Sequence, residues 1–177
     1  HKVYLMDITF NSAQLLALKK LENFLKNPDE KIIILEGYAG TGKSTVISSL
    51  FKNSAYSKLK VCMSATTNKA VQVLKKMGDL GNKRVDYLTI HKLLRIKRTI
   101  DSDGKQHFIT SFDETSDSRN KKCKSIYSYN VVVIDESSMI NNSMFKDLEI
   151  ISTKIPGKII FVGDRNQLPP VNQTLSN

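Results

Sequence analysis

The run Ile32-Ile33-Ile34-Leu35-Glu36-Gly37-Tyr38-Ala39-Gly40-Thr41-Gly42-Lys43-Ser44-Thr45 constrains this chain more than any other stretch. Branched apolar residues ask for a buried strand, the glycines behind them for a tight loop. Val46, Ile47, Leu50 and Phe51 then recur at helical spacing. Gly37, Gly42, Lys43 and Ser44 fill every fixed slot of G-x-x-x-x-G-K-[ST]. The ligand explains the residue types. Successive backbone N–H groups can surround a triphosphate tail only where side chains are absent. Lys43 adds a point charge near the β/γ-phosphates, the Ser44 hydroxyl is placed to ligate Mg²⁺, and a helix N-terminus points at the anion. The expected phosphate contacts are Gly37, Ala39, Gly40, Thr41, Gly42, Lys43, Ser44 and Thr45. A plain glycine turn is the bland alternative, and the strand before it and striped helix after it argue against that.

At 177 residues the chain has a one-domain length, and 40% hydrophobic residues suffice for a core. No apolar run approaches the ~20 residues that span a bilayer, and His1-Lys2-Val3-Tyr4 does not read as a secretory signal. No membrane association is expected, and an intracellular, cytoplasmic, nuclear or virus-infected-cell setting is. The first residue, His1 rather than Met, suggests a trimmed chain. A formal net charge of +10 favours a polyanionic partner, nucleic acid before an acidic membrane surface. Cys62 and Cys123 stand in unrelated contexts, which fits a reducing compartment, and His1, His91 and His107 are too scattered to suggest a metal cluster.

Leu15, Leu18, Leu21 and Leu25 predict a helix over residues 12–26, capped by Asn11 or Ser12 and stopped by Asn27-Pro28. Strands are expected at 31–36, 59–64, 85–88, 131–134 and 158–162, with helices after the first two, a short helix at 89–94 and another around Met144, Leu148 and Ile151. Strand, loop and helix in repetition predict an α/β fold with a parallel sheet and crossover helices. Residues 95–129 break the pattern. Asp103-Gly104 signals a hairpin with 107–110 as the return strand, and a polar stretch follows. This segment holds eight Lys/Arg against five Asp/Glu and reads as an insertion into a domain formed by residues 1–94 and 130–177.

In an open α/β sheet, ligands bind at the C-terminal ends of the strands. Val131 to Ile134 deliver Asp135 and Glu136 there, one carboxylate suited to Mg²⁺ and its neighbour to the attacking water. Gly163-Asp164-Arg165-Asn166-Gln167-Leu168-Pro169-Pro170 ends the last strand, and Gln167 can report a γ-phosphate. These are the residues of an NTP hydrolase.

The stretches G-Y-A-G-T-G-K-S, V-V-V-I-D-E-S-S-M and G-D-R-N-Q-L-P-P-V resemble motifs I, II and III of superfamily 1 DNA helicases, most closely the RecD- and Dda-like superfamily 1B group. Asn11-Ser12-Ala13-Gln14 resembles the Q motif, Ser64 to Ala70 motif Ia, and Thr89-Ile90-His91 motif Ib. The resemblance runs from Ile8 to Val171. It implies the first RecA-like domain of an ATP-dependent 5′–3′ DNA helicase, serving replication, repair or recombination, with the 95–129 insertion as a pin subdomain. By that resemblance Gln14 reads adenine of ATP, Ser44 and Asp135 hold Mg²⁺, Lys43, Asp135, Glu136 and Gln167 are catalytic, and Thr67, Asn68, Lys69, Thr89 and His91 contact single-stranded DNA. Fork DNA and a second RecA-like domain are the expected partners, and a monomer the expected state. Phe108 or Phe112 can stack a base or wedge a junction.

Two departures stand out. Thr66 occupies the position before the motif Ia threonine where the family has proline. Motifs IV to VI and their arginine finger do not occur in these 177 residues. By itself the chain is therefore expected to bind nucleotide and DNA weakly and not to unwind. Two rivals remain open. One is an ATP-dependent enzyme or switch of another phosphate-loop class, although a GTPase would need N-K-x-D and Asn68-Lys69-Ala70-Val71 fails at its last position. The other is a non-catalytic nucleic-acid module, against which intact Lys43, Asp135 and Glu136 argue.

Overall fold

Two apolar layers sandwich a parallel sheet, and its strand order decides what meets at the site. The computed structural model describes residues 10–37, 42–77, 85–94, 96–110, 126–137 and 140–164. In chain order the elements are α1 (Ser12–Lys26), β1 (Ile32–Gly37), α2 (Lys43–Lys52), β2 (Val61–Ala65), α3 (Asn68–Met77), β3 (Val85–Thr89), α4 (Ile90–Leu94), β4 (Ile96–Ile100), β5 (Gln106–Thr110), β6 (Val131–Ile134), α5 (Asn142–Ser152) and β7 (Lys158–Asp164). Five strands form one sheet in the order β1-β7-β6-β2-β3, all neighbours parallel. The expected α/β architecture with crossover helices is what forms.

The branched residues of β6 and β7 are buried on both faces, as central parallel strands require. Val131, Val133, Ile160 and Val162 pack with Leu21 and Phe24 of α1 and with Val46, Ile47, Leu50 and Phe51 of α2. On the other face Val132, Ile134, Ile159 and Phe161 meet Leu93 and Leu94 of α4 and Phe145, Leu148 and Ile151 of α5. Each such buried side chain contributes about 1.5–3 kcal/mol. Local signals set the ends. Asn11 caps α1 through a full capping box with Gln14, and Asn141 caps α5 by accepting from the Met144 N–H at 2.8 Å.

Lysines fasten the base of the sheet, opposite the strand ends that carry the motifs. Lys31 donates to the carbonyls of Ile155 at 3.0 Å and Gly157 at 3.3 Å, while Lys158 donates to those of Asn27 and Glu30 and lies 4.7 Å from the Phe24 ring centroid. Each lysine thus holds the loop that precedes the other's strand. Burial, and then the charge of Lys31, lower the Lys158 pKa.

The expected hairpin is present as the antiparallel pair β4–β5, a separate two-stranded sheet with Gly104 at φ +77° in its turn. One boundary differs from the sequence reading. Ile126 and Tyr129, placed within the 95–129 insertion, are core residues of the main domain, at 0% and 3% exposure. The sequence pattern misses this because Ile126-Tyr127-Ser128 is a single 3₁₀ turn, too short for a periodic signal. The Tyr129 hydroxyl donates to Asp86 of β3 at 2.9 Å, and burial followed by that bond holds its pKa above the ordinary phenol value. An unfolded phenol ionises near pH ~10. The stability this group contributes is therefore present below that pH and is lost as pH rises above it. Tyr129→Phe is expected to lower stability at pH 7 by about 1 kcal/mol and to flatten the decline above pH ~10, measured by urea unfolding across pH 7–11.

Candidate functional site

Parallel pairing brings the C-terminal ends of all five strands to one edge, and the register sets who is adjacent there. Gly37 of β1 pairs with Asp164 of β7, Ile134 of β6 with Ser64 of β2, and Ala65 of β2 with Thr89 of β3. The phosphate-loop strand does not touch the Asp135–Glu136 strand. β7 lies between them and delivers the start of the Gly163-Asp164 motif against the loop's entrance.

Gly42 ends the loop in the left-handed region (φ +79°, ψ +24°) and N-caps α2 with no side chain of its own. Such a terminus favours an anion. The Lys43 ammonium folds back to the Gly37 carbonyl at 2.9 Å and bridges the two ends of the loop. Ser44 is exposed and Thr45 half-buried on the first turn of α2. Ala39, Gly40 and Thr41, and also Gln167, lie outside the described residues, as do Phe112 and the side chain of Phe108.

Asp135 and Glu136 are held by backbone. The Asp135 N–H donates to the Ser64 carbonyl at 2.8 Å, and the Glu136 N–H donates to Asp135 Oδ1 at 2.9 Å. Glu136 sits at φ +51°, the one non-glycine residue with positive φ among the described residues. That conformation costs a side-chain-bearing residue roughly 1–2 kcal/mol, and such outliers gather at functional positions. Beside it, Ser137 is fully buried and its hydroxyl donates to the Val162 carbonyl at 2.8 Å, which ties the carboxylate turn to β7.

The nucleic-acid candidates divide by burial. Asn68, Lys69 and His91 are exposed on the first turns of α3 and α4, which follow the neighbouring strands β2 and β3. Thr67 is exposed, and its hydroxyl accepts from the Ala70 N–H at 3.1 Å as the α3 cap. Thr89 is 7% exposed and accepts from the Lys92 N–H at 3.3 Å, so it orients α4 from within. Sequence reasoning gave no role to Lys92, which is exposed beside His91. It also missed Ser137 and Ser64, whose signal was a small polar residue at a buried strand end.

Gln14 is half-buried on the first turn of α1. Its Oε1 accepts from the Asn11 N–H at 3.0 Å, and its Nε2 lies so close to Gly42 that a methyl group there would sit 2.1 Å away.

The donor set fits a hydrated Mg²⁺ with phosphates. Ser44 and Asp135 offer hard oxygen ligands, and no cluster of three His, Cys, Asp or Glu competes among the described residues. The buried hydroxyls of Ser64 and Thr66 have no partner among the described residues, which leaves hydrogen-bonding capacity at the C-terminal end of the strand next to Asp135.

Fold and site together define an α/β RecA-like domain of the phosphate-loop NTPase type. The chain belongs to the AAA-domain family, whose model matches residues 22–173. It is similar to Uncharacterized protein R530 of Acanthamoeba polyphaga mimivirus, 36% identical over 94% of this chain and 35% of that protein. It is 33% identical to the RecBCD enzyme subunit RecD of Buchnera aphidicola subsp. Schizaphis graminum, over 81% of this chain and 24% of RecD. With the ATP-dependent RecD2 DNA helicase of Deinococcus radiodurans it shares 27% identity over 82% of this chain and 17% of the helicase. The chain thus spans about a third or less of the length of these relatives. The likeness to RecD and RecD2 bears out the resemblance to superfamily 1B that the motifs carry. No helix among the described residues is long and apolar enough to cross a membrane.

Proposed function

We propose that this chain is the first motor domain of an ATP-dependent, RecD-type DNA helicase, binding and hydrolysing MgATP and gripping single-stranded DNA. One observation carries the reading: the end of the phosphate loop, the Asp135–Glu136 turn and the exposed first turns of α3 and α4 share one sheet edge. Lys43 would leave the Gly37 carbonyl for the β/γ-phosphates, and the α2 amides would hold the tail. Ser44 and Asp135 would hold Mg²⁺, whose chemistry is charge neutralisation on the transferring phosphoryl group. Glu136 would take the proton of the attacking water, and Gln167 would sense the γ-phosphate. Asn68, Lys69 and His91 would contact DNA phosphates without reading bases, and Thr67 and Thr89 would set the helix starts that carry them. Asp135 N–H to Ser64 O and Ser137 Oγ to Val162 O give the carboxylate turn direct backbone links to β2 and β7. A two-domain parent chain, translocation 5′ to 3′, the β4–β5 hairpin as a duplex-splitting pin and roles in replication, repair or recombination belong to the same proposal.

The test is ATP hydrolysis with and without oligo-dT, on this chain and on a longer protein that contains it. DNA stimulation in the longer protein, and little in the chain alone, is the expected result. Hydrolysis indifferent to DNA in both would send the assignment to another phosphate-loop class. Lys69→Ala is expected to weaken oligo-dT binding alike for every sequence and to reduce the log–log salt slope by about 0.7, read by fluorescence anisotropy at several salt concentrations.

A further inference from the structure

We infer that Lys31 and Lys158 are positioning residues for the phosphate loop: their crossed ammonium clasps fix the register of β1 on β7, and that register seats the loop against the Gly163-Asp164 strand end. The nucleotide half of the inference rests on the function proposed above. Register between these strands needs a device of its own. Lys31 and Ile155 are 124 residues apart, so no turn aligns the two strands. The Ile32–Leu35 run faces the Ile159–Val162 run, and apolar layers cover both sides of the pair. Alternation of buried and exposed positions is what normally specifies register. Here a slip of one residue exchanges one branched apolar side chain for another.

The base of the pair supplies the constraint. Lys31 directly precedes β1, and its ammonium donates to the carbonyls of Ile155, Pro156 and Gly157 at 3.0, 3.5 and 3.3 Å, in the loop that leads into β7. Lys158 opens β7, and its ammonium donates to the carbonyls of Asn27 and Glu30, in the loop that leads into β1. An ammonium is a compact cation with three donors, and converging carbonyls are its complement. The buried Phe24 ring adds its face, with its centroid 4.7 Å from Lys158 Nζ. The crossing resists a slip in both directions. Sliding β1 forward draws Lys31 off its carbonyls and drives the Asn27–Glu30 loop into Lys158, and sliding it back does the reverse to each. A two-residue slip is about 6.6 Å, more than a hydrogen bond tolerates. At the far end of the strands the same register sets Gly37 opposite Asp164.

Lys158→Ala removes the atoms of propylammonium, which makes the test a chemical rescue on the 177-residue chain. The expected loss is about 5 °C in melting temperature. Kd for a fluorescent, non-hydrolysable MgATP analogue is expected to rise about three- to tenfold, at a temperature where circular dichroism shows the variant folded. Propylammonium chloride should restore both. Tetramethylammonium chloride at the same ionic strength has no N–H, 1-propanol has no charge, and neither should restore anything. Lys158→Met keeps the stem and drops the charge. It should lose a similar amount on both readouts, and its peptide over residues 32–37 should exchange amide hydrogens faster. Unchanged nucleotide affinity in Lys158→Met would reduce the clasp to a local fastening and overturn the inference. A loss in Lys158→Ala that propylammonium does not reverse would overturn it too, assigning the effect to the stem packed on Phe24. If the unsubstituted chain binds no nucleotide, the proposed function fails, while the melting and exchange results still decide whether the clasp holds the register.

Discussion

Lys43→Ala is expected to lower ATP hydrolysis, in the longer protein with DNA present, by about two to three orders of magnitude, the cost of deleting one preorganised charge at a phosphoryl centre. Binding of MgATP should weaken alongside it, since the same ammonium meets the ground-state phosphates. The fold should survive. Lys43 bridges the loop ends by donating to the Gly37 carbonyl at 2.9 Å, and a single bond of this kind contributes about 1 kcal/mol. Stopped-flow hydrolysis, nucleotide titration and a thermal melt on the same preparation check all three statements. Wild-type turnover in the variant would remove the phosphate-loop assignment.

The second large effect is at Glu136. Glu136→Gln is expected to reduce hydrolysis by about 10²–10⁴-fold, the range of one positioned general base, while leaving nucleotide binding near the unsubstituted value. The backbone adds a sharper expectation. At φ +51° glycine avoids the left-handed penalty of roughly 1–2 kcal/mol, and its greater unfolded-state entropy offsets part of that gain. Glu136→Gly should therefore be as inactive as Glu136→Gln yet melt at the same temperature or slightly higher. A clear fall in its melting temperature would mean that no strain is stored there.

Much of this molecule was legible because its signals are local. The apolar stripe and Asn11 cap of α1, the β-branched runs of β1, β6 and β7, and Asp103-Gly104 in the β4–β5 turn each depend on neighbours within a few residues. The fixed slots of Gly37, Gly42, Lys43 and Ser44 are read the same way. What escaped depends on partners far along the chain. Ile126 and Tyr129 looked like the end of a polar insertion, and only the packing of α4 and α5 makes them core. The resemblance puts Thr89 against single-stranded DNA, and its burial is set by the start of α4 beside β3.

The sequence by itself determined the class of chemistry: a glycine loop with its lysine and hydroxyl, an adjacent carboxylate pair, and a basic chain, each readable because residue type and spacing are properties of one strand of covalent bonds. The tertiary structure alone decided that β7 stands between the loop strand and the carboxylate strand, since strand order is set by which buried faces pack best and not by chain order. It alone also turned Gln14 toward Gly42. That contact forms because α1 and α2 share one apolar layer, and no pattern within residues 11–14 records where the layer will put them.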